Sequence, residues 1–294
     1  MNTLLEPFGY EFFVRALIVA TVTGALCGLI GVYVVLRGMS YIGHGLSHAI
    51  FGWAVASYIV GVDLFLGAGA GGLVAALFIN RVARRRSIGA DAAIGVITSA
   101  SFAIGIILIS VQGTFVDFEA LLWGDVLGVA PADVLVVLVV GVAAAASVFF
   151  GYRSLLFSTF DPEVAEVSGV RTGRVDLMLA VMLTATIAAT MNVIGVTMIA
   201  AMLVIPPVIG RLLTDSFGRM LWISVAVGTV CGFAGVYGSY YLDWSSGGTV
   251  VLAAATVFVL AFIWSSMRGS GLPAGITLDT HRPEGPVRAP GDPG

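Results

Sequence analysis

The sequence predicts an all-α integral membrane protein with eight or nine spanning helices. Of its 294 residues, 59% are hydrophobic and only 11% are charged, whereas a soluble domain is about a quarter charged. A spanning helix needs about 20 mostly apolar residues, and the chain holds nine apolar runs of roughly that length. These runs are Phe12–Leu36, His44–Val60, Leu64–Ile79, Ala92–Val111, Val134–Phe150, Val175–Ile194, Gly195–Leu213, Leu221–Leu242 and Val250–Met267. Eight spans are the alternative, because the second run is short and glycine-flanked and could re-enter the membrane.

The distribution of arginine predicts the orientation of these helices, because basic residues collect on the cytoplasmic side. With the N-terminus outside, every arginine except Arg15 falls on the inner side. The connection between residues 112 and 130 contains acids but no arginine, and it falls outside. The first residues have no basic segment or small-residue cleavage site, so we expect the first helix, and not a cleaved signal peptide, to direct insertion. A net charge of −3 argues against binding to nucleic acid.

Three stretches outside the apolar runs are predicted not to span the membrane. Residues 115–130 are amphipathic and are predicted to lie at the outer surface. Residues 157–176 form the longest polar interruption on the inner side, where Asp161, Pro162 and Glu163 are typical of a helix start and Gly169 of a helix end. The residues after Arg268 are rich in proline and glycine, which predicts a polytopic transmembrane domain over 1–268 and a disordered cytoplasmic tail over 269–294.

The most informative polar residues are two histidines, His44 and His48, inside the second apolar run. Lipid offers an imidazole no hydrogen-bond partner, so an ionisable residue in this setting indicates a functional site. A spacing of four places both rings on one face of a helix, one turn apart. Two imidazoles on one face can share a divalent metal ion, and a site on a transport pathway should bind weakly so that the ion can leave.

This segment allows two other interpretations. The histidines could simply bond to backbone groups at a broken helix. Ser47 next to His48 could suggest a hydrolase, but neighbouring helical residues point about 100° apart and cannot act together as nucleophile and base. No acid or oxyanion motif accompanies them.

Pro206 and Pro207 lie inside the seventh apolar run and are expected to break or kink its helix. One interpretation is a hinge beside the transport pathway, and the other is simple packing. The chain has no nucleotide-binding signature, because the glycines of 67–72 lack the lysine and hydroxyl residue of a phosphate-binding loop. If transport is driven by ATP, the ATPase must therefore be a separate chain.

Four blocks of sequence, in order, resemble the permease subunits of the zinc/manganese/iron ABC importer family. They are Arg37–Ala49 (RGMSYIGHGLSHA), Asp91–Ser110, Leu121–Val134 and Asp161–Leu213, the last containing DPEVAEVSGV and NVIGVTMIAAMLVIPPVIGRLL. The chain departs from the family pattern at His44, where an aspartate is usual. Histidine still binds divalent metals, and its softer nitrogen favours zinc over manganese.

The resemblance implies a homodimeric permease that binds ATPase subunits on its inner face and a metal-loaded binding protein on its outer face. It implies that a short inner helix docks on the ATPase, with Asp161, Pro162, Glu163, Ala165 and Gly169 as the matching residues. The acidic outer residues Asp117, Glu119 and Asp125 are a candidate contact for the binding protein. No permanently bound cofactor is expected, and the metal, with zinc favoured over manganese or iron, is the cargo.

A proton-coupled secondary transporter is the alternative from another class. Such transporters usually keep paired acids near the middle of the membrane as a proton relay. No aspartate or glutamate falls near the centre of any predicted run. The sequence therefore favours an ATP-driven importer whose permease subunit hydrolyses nothing itself.

Overall fold

A computed structural model describes residues 5–83, 90–112 and 118–267. In these ranges the chain forms a short 3₁₀ helix at Glu6–Gly9 and then eleven α-helices. The α-helices are α1 (Glu11–Leu36), α2 (Ser40–Ile59), α3 (Leu64–Ala83), α4 (Ala90–Gln112), α5 (Phe118–Trp123), α6 (Pro131–Phe160), α7 (Pro162–Val167), α8 (Thr172–Ile194), α9 (Val196–Leu213), α10 (Phe217–Leu242) and α11 (Ser246–Met267). The predicted tail after Arg268 lies outside the described residues.

Nine of the described helices have 18 or more residues, and each covers all but at most one residue of one of the nine predicted apolar runs. Seven of the nine, all but α2 and α3, contain a stretch long and apolar enough to cross a membrane. Helix α3 has a shorter apolar segment, Leu64–Ile79, and α2 contains the two histidines. The all-helical membrane fold is therefore confirmed, and the two helices without such a stretch are neighbours in the chain.

Helix α1 forms the centre of the bundle and packs tightly against α10. A Cβ atom added to Gly24 would lie 2.0 Å from the carbonyl oxygen of Gly228, and one added to Gly28 would lie 2.4 Å from that of Ser224. Only glycine allows two helix backbones to approach this closely, and such contacts are a common means of helix association in lipid. Helix α8 is equally buried, whereas α4, α6 and α11 expose most of their apolar surface.

The connection between α8 and α9 is a sharp turn at Gly195, whose φ of 88° and ψ of 146° are accessible almost only to glycine. The segment that starts with α5 folds onto this turn. The Thr197 hydroxyl donates to the Leu122 carbonyl over 2.7 Å, and the Asp125 amide donates to the Asn192 carbonyl over 3.1 Å. Leu121, in this segment, is buried. The stretch predicted to lie at the outer surface is thus packed against the bundle at residues 121–125, while residues 113–117 lie outside the described ranges.

Pro206 and Pro207 do not break their helix, because α9 continues through both of them to Leu213. Each proline lacks an N–H group and leaves a carbonyl one turn earlier without its helical donor. At this level α1 lies directly against α9, since a Cβ atom on Gly31 would fall 2.1 Å from the Leu203 oxygen and 3.0 Å from Cγ of Pro207. Both prolines are buried. The prolines therefore lie in a close helix contact, and the predicted break at them is wrong.

The inner connection between α6 and α8 folds as predicted from the sequence. Asp161 is the N-cap of α7, and its carboxylate accepts a hydrogen bond from the Val164 amide at 2.9 Å. Pro162 occupies the first helical turn, and Gly169 follows the helix with a φ of 84°. These are the caps expected of a short, well-defined helix.

Candidate metal centre

His44 and His48 lie one turn apart on α2, and their imidazole rings face each other edge to face. The ring centroids are 4.9 Å apart and the ring planes make an angle of 83°. His48 also contacts the ring of Phe102 on α4, with a centroid distance of 5.1 Å. His44 is exposed and His48 is half-buried. The predicted arrangement of two imidazoles on one helix face is therefore present.

A cavity of about 290 Å³ adjoins both imidazoles and lies between α2 and α4. Polar groups line it as well as apolar ones, and it opens at the surface of the protomer beside Tyr41, which is 51% exposed. Its lining residues are Tyr41, His44, Gly45, His48, Ile94, Gly95, Thr98, Ser99 and Phe102. Three lining residues carry hydroxyl oxygens that could supplement the imidazoles, namely Tyr41 of α2 and Thr98 and Ser99 of α4.

Glycines bring α2 and α4 together around this cavity. A Cβ atom on Gly45, which lies between the two histidines in the sequence, would fall 2.5 Å from Cγ2 of Ile94. One turn beyond the pair, a Cβ on Gly52 would fall 2.1 Å from the Ser101 carbonyl oxygen. The sequence pattern around the histidines is thus also a helix-packing pattern, and this packing sets how far the imidazoles lie from α4.

The His48 Nδ1 atom is buried and has no hydrogen-bond partner within the described structure. A buried polar atom without a partner costs about 1–3 kcal/mol, a cost that a bound ligand would offset. Among the described residues, no group of three or more His, Cys, Asp or Glu side chains could hold a metal ion. The described part of one protomer therefore offers two imidazoles at this place, fewer than the four ligands of a closed structural zinc site.

The predicted coupling residues on α7 divide into two sets. Asp161, Pro162, Glu163 and Gly169 are exposed, whereas Ala165 is fully buried against the bundle. The exposed side of α7 also carries Val164 and Val167, which are 48% and 91% exposed. Sequence analysis did not single out these two valines, although their spacing of three places them on one face of a helix.

The predicted acidic contact on the outer side is only partly described. The Asp125 carboxylate accepts a hydrogen bond from the Gly128 amide at 3.0 Å and so stabilises its own turn. The side chains of Asp117 and Glu119 lie outside the described residues. Of the three predicted acids only Asp125 can be assessed, and its carboxylate has a local structural partner.

Comparison with known proteins identifies the family. The model of the ABC 3 transport family matches residues 9–265, and this match spans the histidine pair, α7 and the α8–α9 turn. The chain belongs to the ABC 3 transport family. This confirms the resemblance drawn from the four sequence blocks. The chain is a permease subunit of an ABC metal importer and a multi-pass protein of the bacterial cell membrane.

Two relatives that align with this chain over most of their length are named for different metals. The manganese transport system membrane protein MntC of Halalkalibacterium halodurans is 36% identical over 90% of this chain and 91% of its own length. The chelated iron transport system membrane protein YfeC of Yersinia pestis is 33% identical over 92% of both chains.

Solved structures give the same picture of the fold. The chain is similar to a chain of PsaBC from Streptococcus pneumoniae, solved in complex with Fab, with a TM-score of 0.83, 32% identity, and coverage of 88% of this chain and 94% of that one. It shares its fold with an inward-facing putative metal-chelate type ABC transporter at a TM-score of 0.68 and 15% identity, over 85% of each chain. The agreement extends over nearly the whole helical bundle.

Proposed function

We propose that this permease carries a divalent first-row metal ion past His44 and His48, with zinc preferred to manganese or iron. The observation that supports this most directly is the pair of imidazoles, 4.9 Å apart on one open cavity. Imidazole nitrogen suits zinc, whereas carboxylate and water oxygens suit manganese. A site of only two strong ligands binds weakly enough for an ion to move on.

A second copy of the chain completes the pathway in this proposal. Two imidazoles leave a tetrahedral ion two ligands short, and His44 is exposed at the surface of the protomer. A polar cavity facing lipid would leave the exposed His44 imidazole without a hydrogen-bond partner, which is unfavourable in a bilayer. A homodimer with α2 near its two-fold axis would cover the cavity and bring a second histidine pair towards the first.

Helix α7 is the proposed contact with a separate ATPase subunit. Val164 and Val167 are exposed on a short helix at the cytoplasmic side predicted from the arginine distribution, where no lipid tail would cover them. An apolar helix face of this kind fits a hydrophobic groove on a partner. Glu163 and the exposed valines would make the contact, and buried Ala165 would anchor α7 to the bundle. Closure of the ATPases on ATP would then shift α7 as a rigid body and change the side to which the pathway opens.

The docking of α7 can be tested with a cysteine at Glu163. Both native cysteines, Cys27 and Cys231, are buried, so an introduced exposed cysteine should react selectively. We expect the Glu163→Cys permease to crosslink to the co-purified ATPase chain through a short bifunctional thiol–amine reagent. Val62→Cys, between α2 and α3 and 48% exposed, is the control and should give no product. Absence of a crosslink from position 163 in assembled, ATP-hydrolysing complex would reject the docking.

The cargo can be tested by competition in vesicles that contain the purified permease, its ATPase and its binding protein. We expect ATP-dependent zinc uptake that unlabelled zinc inhibits at a concentration about tenfold lower than manganese, which corresponds to about 1.4 kcal/mol. Replacing His44 by aspartate should reduce this preference, because a carboxylate oxygen replaces a nitrogen ligand.

Two results would contradict the proposal. Stronger inhibition by manganese than by zinc in the unaltered complex would overturn the cargo assignment. Uptake that needs a proton gradient and no ATP would support the secondary-transporter alternative. The positions of the acids favour the ATP-driven mechanism over the proton-coupled one. In the described long helices every Asp and Glu lies within the first five residues of its helix, away from the middle of the membrane.

A further inference from the structure

The side chain of Arg37 joins three helices at one end of the bundle. It follows the last residue of α1, and its guanidinium bonds to Asp176 of α8 with a nitrogen–oxygen distance of 2.7 Å. The same group donates to Thr159 of α6 at 3.1 Å and to the Ser158 hydroxyl beside it. Only 12% of the Arg37 side chain is exposed. One guanidinium thus bonds to both of the helices that flank α7.

These contacts are more specific than those of an ordinary surface ion pair. Exposed pairs contribute about 0–1 kcal/mol because water screens them and both side chains must be ordered. Arg37 is largely buried and uses three separate N–H groups on three acceptors, which fixes the guanidinium in position as well as direction. Within the described residues, the only other ion pair is the Glu11–Arg15 contact within α1, at 4.0 Å.

Helix α7 is tied to the same two helices. It follows α6 after a single residue, Asp161, whose carboxylate caps it. At its other end the Thr172 hydroxyl, at the start of α8, donates to the Glu166 carboxylate at 2.6 Å. Ala165 is fully buried beneath α7. A displacement of α7 must therefore move the adjoining ends of α6 and α8, to which Arg37 is bonded.

Arg37 also stands next to the helix that carries the histidines. The turn from α1 to α2 is closed by Gly38, which has a φ of 66°, and by a hydrogen bond of 2.8 Å from the Met39 amide to the Val34 carbonyl. Helix α2 begins at Ser40, and His44 is its fifth residue. Only the short α1–α2 turn and the first turn of α2 therefore separate Arg37 from His44 along the chain.

We propose that Arg37 is a positioning residue that couples movement of α7 to α2, and so to the orientation of His44 and His48. The inference rests on the proposed function, since it assumes that α7 receives the ATP-driven movement. Arg37 touches neither the ion nor the nucleotide. Its role is to make the end of α6, the start of α8 and the α1–α2 turn move together.

The test uses the complete transporter in vesicles and measures metal uptake and ATP hydrolysis in the same sample. We expect Arg37→Ala to reduce uptake per ATP hydrolysed by about tenfold, an effect of the size found for contacting residues that act together. ATP hydrolysis should stay within about twofold of the unaltered complex, because the ATPase and its α7 contact are unchanged. Arg219→Ala, which removes an exposed arginine at the start of α10, is the matched control and should leave the ratio unchanged.

A milder variant tests the same interaction in case the Arg37→Ala protein misfolds. Asp176→Asn keeps the shape of the side chain, which is 38% exposed, and removes only the charge. We expect it to reduce uptake per ATP by about threefold, and the double variant to be no worse than Arg37→Ala alone, because both changes break one interaction. Reductions that multiply in the double variant would overturn the proposal.

Two further outcomes distinguish this inference from the proposed function. If uptake and hydrolysis fall in equal proportion in the variants, Arg37 serves assembly or stability and the coupling role is rejected. If the unaltered complex itself shows no ATP-dependent uptake, the proposed function fails before Arg37 is tested.

Discussion

Replacing His48 by alanine is expected to abolish metal uptake while the complex still assembles. His48 is the half-buried member of the pair, and its Nδ1 atom is buried without a protein partner. We expect uptake to fall about 100-fold or more, since loss of even an outer-shell partner of a metal site costs about 10–100-fold. The measurement is the initial rate of ATP-dependent uptake in vesicles, with binding of the ATPase followed by co-purification.

Two companion variants show whether this loss is specific. Ser47 is fully buried next to His48, but its hydroxyl donates within α2, to the His44 carbonyl at 2.7 Å, and does not line the cavity. Ser47→Ala should therefore keep normal uptake. His48→Gln keeps most of the volume packed against Phe102 and should still lose uptake. Normal uptake by either His48 variant would remove the histidine pair from the pathway.

Replacing Gly195 by alanine is expected to be the most destabilising of the glycine substitutions at the helix junctions. The residue has a φ of 88°, and an added Cβ atom would lie 2.4 Å from the Trp123 carbonyl carbon and 2.5 Å from the Gly124 nitrogen. Backbone strain of this kind costs about 1–3 kcal/mol, and the contact with rigid backbone adds to it. We expect a loss of about 3 kcal/mol or more, measured as free energy of unfolding in detergent.

Substitutions at two other glycines distinguish backbone strain from steric contact as causes of that loss. Gly169 also has a positive φ, 84°, but a Cβ atom there would meet nothing within 4 Å, so Gly169→Ala should cost only about 1–2 kcal/mol from the left-handed backbone. Gly173 lies in α8 with open space around it and no positive φ, and Gly173→Ala should stabilise by about 0.5–1 kcal/mol. If all three variants were equally stable, the α8–α9 turn would not be the packed junction described above.

The prolines of α9 show where sequence reasoning was less accurate. They suggested a break or kink at 206–207, but α9 continues through both prolines, whereas the helix boundary at Gly195 agrees with the predicted runs, which meet there. A proline removes hydrogen bonds and yet can remain in a helix when a neighbouring helix packs against the freed carbonyls, as α1 does through Gly31. Whether Pro206 and Pro207 act as a hinge stays a prediction.

Helix α7 was predicted more completely than the surroundings of the histidine pair. Its start at Asp161 and Pro162 and its stop at Gly169 depend on local backbone chemistry, which the sequence displays directly. Its contact surface cannot be read from local sequence in the same way, because burial of Ala165 and exposure of Val164 and Val167 depend on how α7 packs on the bundle. The resemblance therefore included Ala165, which is buried, and nothing in the local sequence singled out the two exposed valines.

The amino-acid sequence by itself determined the membrane class, the nine long helices, the caps of α7 and the spacing that places His44 and His48 on one helix face. All of these follow from hydropathy, helical periodicity and capping, which act over a few residues of chain. Tertiary structure alone decided that Thr98 and Ser99 border the histidine cavity, that the outer segment packs on the Gly195 turn, and that Arg37 bonds to Ser158, Thr159 and Asp176. These contacts join residues as many as 139 positions apart, and no local pattern specifies them because they depend on which helices pack together.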